Sequence, residues 1–327
     1  MKPKILKQFC LYIVFLGIIK TAASASHDEG YYLKLIPANP DAGFNFPYIL
    51  RTPTSAISDE HKYLIVESNN SGVNDSIQEH IRETQESAMG YGVGSNLARQ
   101  LNTPFLVPVF PRSKSDHLVY THALDRDTLL LTDTLGKRLD LQLLNMVEHA
   151  RSRLENYQIQ LNKKFVIAGF SASGTFSNRF AFLHPEKLLA VVSGGVNAFP
   201  MLPVKSVDED NLEYPLGIAD FETLSGTKFN LAAWKELPQM IFMGAEDYND
   251  AVLFDDAYSI KERELIFEHI GENMLERWHA SQAIYLQQKP NASFTTYGQI
   301  GHGTDGRINS DIVSFVRIIM VRESSKD

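Results

Sequence analysis

The chain has one cysteine in 327 residues, Cys10, no apolar run long enough to span a bilayer, no basic excess and no internal repeat. Each absence excludes something. A single thiol cannot form an intramolecular disulfide, so stability must come from a large apolar core, which a chain of this length can build. With 39 Asp and Glu against 31 Lys and Arg, nucleic acid is not an expected partner, because phosphate binding needs a basic face. No period of 20 to 50 residues recurs, which argues against solenoids and propellers. No set of histidines and acids shows metal-ligand spacing, so catalysis is expected to need no metal or other cofactor.

What is present begins at the N-terminus. "MKPKILK" is basic, "FCLYIVFLGII" is apolar over about ten residues, and "TAASAS" holds an Ala23-Ser24-Ala25 pattern. That order predicts a secretory signal peptide over residues 1–25. A membrane-spanning helix would need about 20 apolar residues, and Lys20 ends this run. Cleavage would remove Lys2, Lys4, Lys7 and Lys20 and no acid, leaving 27 basic against 39 acidic side chains, a net charge of −12. Cys10 would leave as well, and it lies ahead of most of the apolar run, poorly placed for lipid attachment. The expectation is a periplasmic or extracellular bacterial protein with no stable membrane anchor.

Further along, β-rich apolar runs at 46–53, 62–68, 105–110, 164–170, 188–194, 239–245 and 292–300 read as strands. Several are apolar throughout, as expected where helices cover both faces of a parallel sheet. Helical spacing marks 76–100, 139–160, 174–184, 258–287 and 308–321; in the second, Leu139, Leu143, Met146, Val147, Ala150 and Leu154 share one face. The alternation predicts one α/β domain over 26–327 with a doubly wound, mostly parallel sheet. Residues 196–238 interrupt the rhythm and read as a cap insertion, with a plain surface excursion as the alternative. "GYGVGS" (90–95) lies inside or after a helical stretch and matches no phosphate-binding fingerprint, so it reads as close packing or a helix break. "YTHALDRD" (120–127) reads as an ordered polar loop.

The chemistry centres on "IAGFSASGTF" (167–176). A strand ending at Phe170 and a helix beginning near 174 leave Ser171 on a sharp turn, with Gly169 and the small Ser173 two positions to either side. Such a turn presents its hydroxyl at the C-terminal edge of the sheet, beside the free N–H groups of a helix N-terminus. Ser173 as nucleophile would put Ser171 and Thr175 at the cramped positions. In this setting the sequence resembles the α/β-hydrolase superfamily, whose nucleophile elbow is G-x-S-x-G; Ser173 replaces the last Gly, and Gly174 follows directly.

The resemblance implies a Ser–His–acid triad, with the acid and then the imidazole arriving on later strand ends. "QMIFMG" runs into "AEDYNDAV", so Asp247 is the candidate acid, with Glu246 and Asp250 as competitors. His302, between two glycines after the last strand, is the candidate base; the other histidines read mostly as loop or helix-surface residues. For the oxyanion, the N–H of Ala172 is one candidate donor, and Asn69 or Asn70 in "ESNNSGV" the other, in place of the superfamily's common His-Gly pair. Within the superfamily the chain looks most like secreted esterases of the polyhydroxyalkanoate-depolymerase and feruloyl-esterase-like kind. That implies hydrolysis of a small or polymeric carboxylic ester through an acyl-serine intermediate. The alternatives are a serine peptidase of the prolyl-oligopeptidase type, although no gating domain precedes the core, and a binding protein on a hydrolase scaffold.

Overall fold

In the computed structural model, residues 26–28, 30–55 and 62–325 are described. The signal peptide predicted for residues 1–25 lies outside them. Strands β1 (Ser26–Asp28), β2 (Tyr31–Ile36) and β3 (Tyr48–Pro53) open the fold, followed by β4 (Ile65–Val66), α1 (Ile77–Met89), α2 (Val93–Gln100) and β5 (Phe105–Pro108). Next come α3 (Arg126–Leu130), α4 (Leu139–Glu155), β6 (Phe165–Phe170), α5 (Ala172–Leu183) and β7 (Leu188–Gly194). A small hairpin, β8 (Ser206–Val207) and β9 (Asp210–Asn211), precedes α6 (Phe221–Ser225), α7 (Leu231–Glu236) and β10 (Gln239–Gly244). The chain closes with α8 (Ile260–His269), α9 (Met274–Gln287), β11 (Ala292–Tyr297) and α10 (Gly306–Ser324).

Nine strands form one sheet in the order β1-β2-β3-β5-β4-β6-β7-β10-β11. From β5 to β11 every neighbour is parallel, while β1, β2 and β3 add an antiparallel flank. The all-apolar look of the central strands has a direct cause. In β6, Phe165 and Ile167 enter the apolar layer on one face, and Val166 and Ala168 enter the layer on the other. Strand β10 divides the same way, Ile241 and Met243 against Met240 and Phe242. Successive side chains point to opposite faces, and here both faces are covered: α4 and α5 pack on the first, α2 and α10 on the second.

The expected doubly wound, mostly parallel sheet is thus observed, with differences at the margins. The 76–100 stretch divides into α1 and α2 at Gly90 to Gly92, and 258–287 divides into α8 and α9 around Gly271, whose φ of +144° no ordinary side chain favours. The antiparallel β2 was not anticipated; its mixed burial leaves no continuous apolar run. The 196–238 segment is ordered and packed. Ala198, Phe199, Leu202, Leu212 and Leu216 share an apolar cluster with Val252, Tyr258, Ile266 and Ile270, while Tyr214, Phe221, Trp234 and Leu237 join the main core. Among the described residues, no helix is long and apolar enough to cross a membrane.

Candidate active site

Strand β6 passes into α5 through a single residue, Ser171, with φ +62° and ψ −128°. A non-glycine residue there is strained by about 1–3 kcal/mol and persists only where its surroundings hold it. They do so here. The Ser171 N–H donates to Gly194 O at 2.9 Å on neighbouring β7, and Thr175 N–H returns to Ser171 O at 2.9 Å. A Cβ on Gly169 would come within 2.4 Å of the Ser173 backbone, and one on Gly174 within 2.2 Å of Gly194 O. Positions 169 and 174 therefore admit no side chain. Position 173 does, because its hydroxyl folds back on the turn, accepting from Phe170 N–H at 2.9 Å and lying 2.8 Å from Phe170 O.

The loops after β10 and β11 meet above this turn's strand. His302 turns Nδ1 to both carboxylate oxygens of Asp247, at 3.0 and 2.9 Å. Its ring lies against that of Phe170, the residue before Ser171, with centroids 4.8 Å apart. The loop geometry requires a glycine at the end of β10: a Cβ on Gly244 would sit 2.2 Å from Ile300 O. Asp247 is 2 % exposed, whereas the imidazole side chain remains 27 % exposed. Because Nδ1–H is donated to the carboxylate, Nε2 carries the lone pair, and it accepts from the Asn249 amide at 3.0 Å. The Ser171 hydroxyl donates to Asn197 Oδ1 at 3.2 Å, and no hydrogen bond joins it to His302. Serine and imidazole are each held by an asparagine that sequence reasoning did not single out.

The competing acids lie elsewhere. Asp250 pairs with the buried Arg277 and caps the turn at Val252 N–H, and Glu246 is exposed. Ala172 is the first residue of α5, so its N–H has no acceptor within the helix. The Asn69 side chain is occupied. Its Oδ1 accepts from Phe110 N–H at 3.0 Å, and its amide faces Phe110 O, Ser71 Oγ and His122. Asn70 is exposed on the same loop. Three other histidines differ from the surface reading: His80, His122 and His184 are buried. Burial pushes His122 down to about 3, so this ring stays neutral. At the surface, Asp210, Glu268 and His269 bring ligand-capable atoms within 4.8 Å of one another.

An abrupt strand-to-helix elbow beneath an acid-held imidazole, on a parallel sheet with an antiparallel flank, is the α/β-hydrolase fold. No protein-family model matches the sequence, and no curated protein matches it. Among solved structures it is similar to poly(aspartic acid) hydrolase-1 from Sphingomonas sp. KT-1, with a TM-score of 0.56 and 17% identity over 88% of this chain and 97% of that one. It is also similar to LpqC, a poly(3-hydroxybutyrate) depolymerase from Bordetella parapertussis, with a TM-score of 0.52 and 15% identity over 86% and 94% of the two chains.

Proposed function

We propose that this chain is a secreted serine hydrolase that cleaves carboxylic esters through an acyl-serine intermediate. The observation that carries the reading is a strained Ser171 at the head of α5 next to Phe170, whose ring packs on an imidazole with its Nδ1–H taken by a buried carboxylate. A serine hydroxyl becomes nucleophilic when a neutral imidazole accepts its proton, and the carboxylate fixes the tautomer and stabilises the cation that forms. In this scheme Ser171 releases Asn197, and His302 Nε2 exchanges the Asn249 amide for the serine hydrogen. Oxygen attacks the ester carbon, and the oxyanion settles against Ala172 N–H and a donor from the 67–72 loop, with Asn70 or Asn69 supplying the backbone group. His302 then protonates the departing alcohol, and water repeats the sequence to free the acid.

Apolar groups follow the acid directly: Tyr248, Leu253 and Phe254 are 82%, 61% and 61% exposed. They favour an acyl or polymer chain with an apolar surface. LpqC is named for a polyester, poly(3-hydroxybutyrate), which fits the same reading, whereas poly(aspartic acid), for which the other similar structure is named, is an anionic polyamide and fits the peptidase alternative; the 196–238 insert is proposed as the cap. A fluorophosphonate probe should label the wild type and not Ser171→Ala. A panel of p-nitrophenyl esters and dipeptide amides should show turnover of esters; amide turnover alone would replace esterase with peptidase, and labelling that survives in Ser171→Ala would overturn the assignment.

A further inference from the structure

Glu67, one residue past β4, is a carboxyl that the reaction above does not use, and it is only 8 % exposed. One oxygen has a structural task. Glu67 Oε2 accepts from Gly94 N–H at 2.9 Å in the first turn of α2, a helix whose N-terminus has no other side-chain cap. The fit is close, since a Cβ on Gly94 would lie 2.8 Å from that oxygen. The other oxygen faces the elbow: Glu67 Oε1 is 3.3 Å from Ser173 Oγ. No direct ion pair neutralises the carboxyl among the described residues. Arg51 of β3 attracts it, but the guanidinium donates to Ala88 O, Ser95 O and Ser95 Oγ. Arg99 of α2 donates to the carbonyls of Met89 and Gly90. Tyr31 of β2 lies beyond Arg51, and His302 lies across the Phe170 ring.

Ser173 has one hydroxyl hydrogen and two acceptors, Phe170 O at 2.8 Å and Glu67 Oε1 at 3.3 Å. An ionised Glu67 draws that hydrogen to itself, because a charged acceptor makes the stronger bond. A protonated Glu67 instead donates into Ser173 Oγ, and the Ser173 hydrogen turns to Phe170 O. That carbonyl belongs to the peptide bond that carries Ser171. Resting on the reading of Ser171 as nucleophile, we propose that Glu67 is a positioning residue acting through the Ser173 hydroxyl on the Phe170–Ser171 peptide, and that its protonated form braces the elbow. The departure from G-x-S-x-G then has a function, since a glycine at 173 would cut the link. Burial pushes the Glu67 carboxyl up to about 7, against the lowering effect of the Gly94 N–H, Ser173 and Arg51. Both forms are therefore populated near neutral pH.

The test compares wild type with Glu67→Gln, whose amide copies the protonated acid by donating to Ser173 while its carbonyl accepts from Gly94. Relative to Glu67→Gln at the same pH, wild-type kcat should fall about fivefold as pH rises through 7, the effect of one neutral hydrogen bond, with KM unchanged. Glu67→Gln should hold the upper plateau, and Ser173→Ala and Ser173→Gly should hold the lower one at every pH. A merely structural role would lower activity without removing the pH step. Amide NMR of Phe170 and Ser171 in a His302→Ala background reads the same coupling without any turnover. A titration with midpoint near 7 that disappears in Glu67→Gln and in Ser173→Ala supports the proposal even if the protein proves not to be an esterase. Amide shifts that titrate unchanged in both variants, or do not titrate, overturn it while leaving the hydrolase reading intact.

Discussion

Among the described residues, two buried-acid–histidine pairs of nearly equal separation lie one at each end of α5, His302 using Nδ1 against both oxygens of Asp247 and His184 using Nε2 against one oxygen of Asp140. Asp247 and His302 meet beside Ser171 at 2.9 Å, and Asp140 and His184 meet past Leu183 at 2.8 Å. The two are separated by the length of α5, about 18 Å at 1.5 Å per residue. Each imidazole rests against a phenylalanine, Phe170 at 4.8 Å and Phe180 at 4.9 Å. The difference that decides the charge balance is the third partner. Arg138 grips both oxygens of Asp140 through Nε and Nη2, at 2.9 and 2.7 Å, so that carboxylate is already matched by a cation. Among the described residues, Asp247 receives besides the ring a neutral group, the backbone N–H of Asn249 at 3.0 Å. Its charge is left for the imidazole. The same pair of residue types is therefore already charge-matched where a guanidinium completes it, and under the proposed mechanism it can relay a proton where none does.

The sharpest way to break that comparison is to remove each imidazole in turn. His302→Ala and Ser171→Ala should each lower ester kcat by about 10⁴-fold or more, with little further loss in the double variant, because the two act as a unit. Thermal midpoints should stay near wild type. His184→Ala should do the reverse, with turnover per folded molecule unchanged and a lower midpoint on melting. Equal losses of turnover in the two single-histidine variants would show that the ends of α5 are not chemically distinct.

A smaller effect tests the Asp140 end by pH. Burial alone would raise Asp140, but Arg138 and His184 more than offset it and bring the carboxyl down to about 2. A carboxyl lowered by folding adds stability that is fully present above its unfolded value near 3.8 and is lost as pH falls through 2. Asp140→Asn should therefore destabilise the protein at neutral pH by about 2 kcal/mol. Urea midpoints at successive pH values should show the gap closing between about pH 4 and 2. Glu67 has the opposite sign: raised on folding, it subtracts stability as pH rises from 4.5 towards 7, so the gain of Glu67→Gln should appear at neutral and basic pH.

The meeting of Asp247 with His302 was legible in the sequence and that of Asp140 with His184 was not, for a physical reason. Ser171 and Asp247 follow the apolar, buried strands β6 and β10, and His302 follows the edge strand β11; the C-terminal edge of a parallel sheet gathers whatever follows its strands. Asp140 lies in the first turn of one helix and His184 caps another; no periodicity relates them, and their contact depends on how α4 and α5 cross. Glu67, Asn197 and Asn249 were equally silent, since each meets its partner, Ser173, Ser171 and His302 respectively, only in the folded chain. Asn69 shows the converse. Its position beside the nucleophile's sheet edge was readable, but the commitment of its amide to Phe110 and the His122 loop appears only once β5 is in place.

Asn249 supplies the smallest effect and the finest test of what distinguishes the two pairs. Its backbone N–H donates to Asp247, whereas its side-chain amide occupies His302 Nε2, the nitrogen that would accept the serine proton in the proposed mechanism. Alanine keeps the first interaction and removes the second. If the amide competes with Ser171 for His302, its net worth of about 1 kcal/mol is returned to the approach to the transition state. Asn249→Ala should then raise kcat/KM severalfold, with Ser171 labelling by a fluorophosphonate accelerated in proportion. A fall in both rates would mean that the amide steadies the ring for attack, and the Asp247–His302 pair would then need a third partner just as the Asp140–His184 pair does.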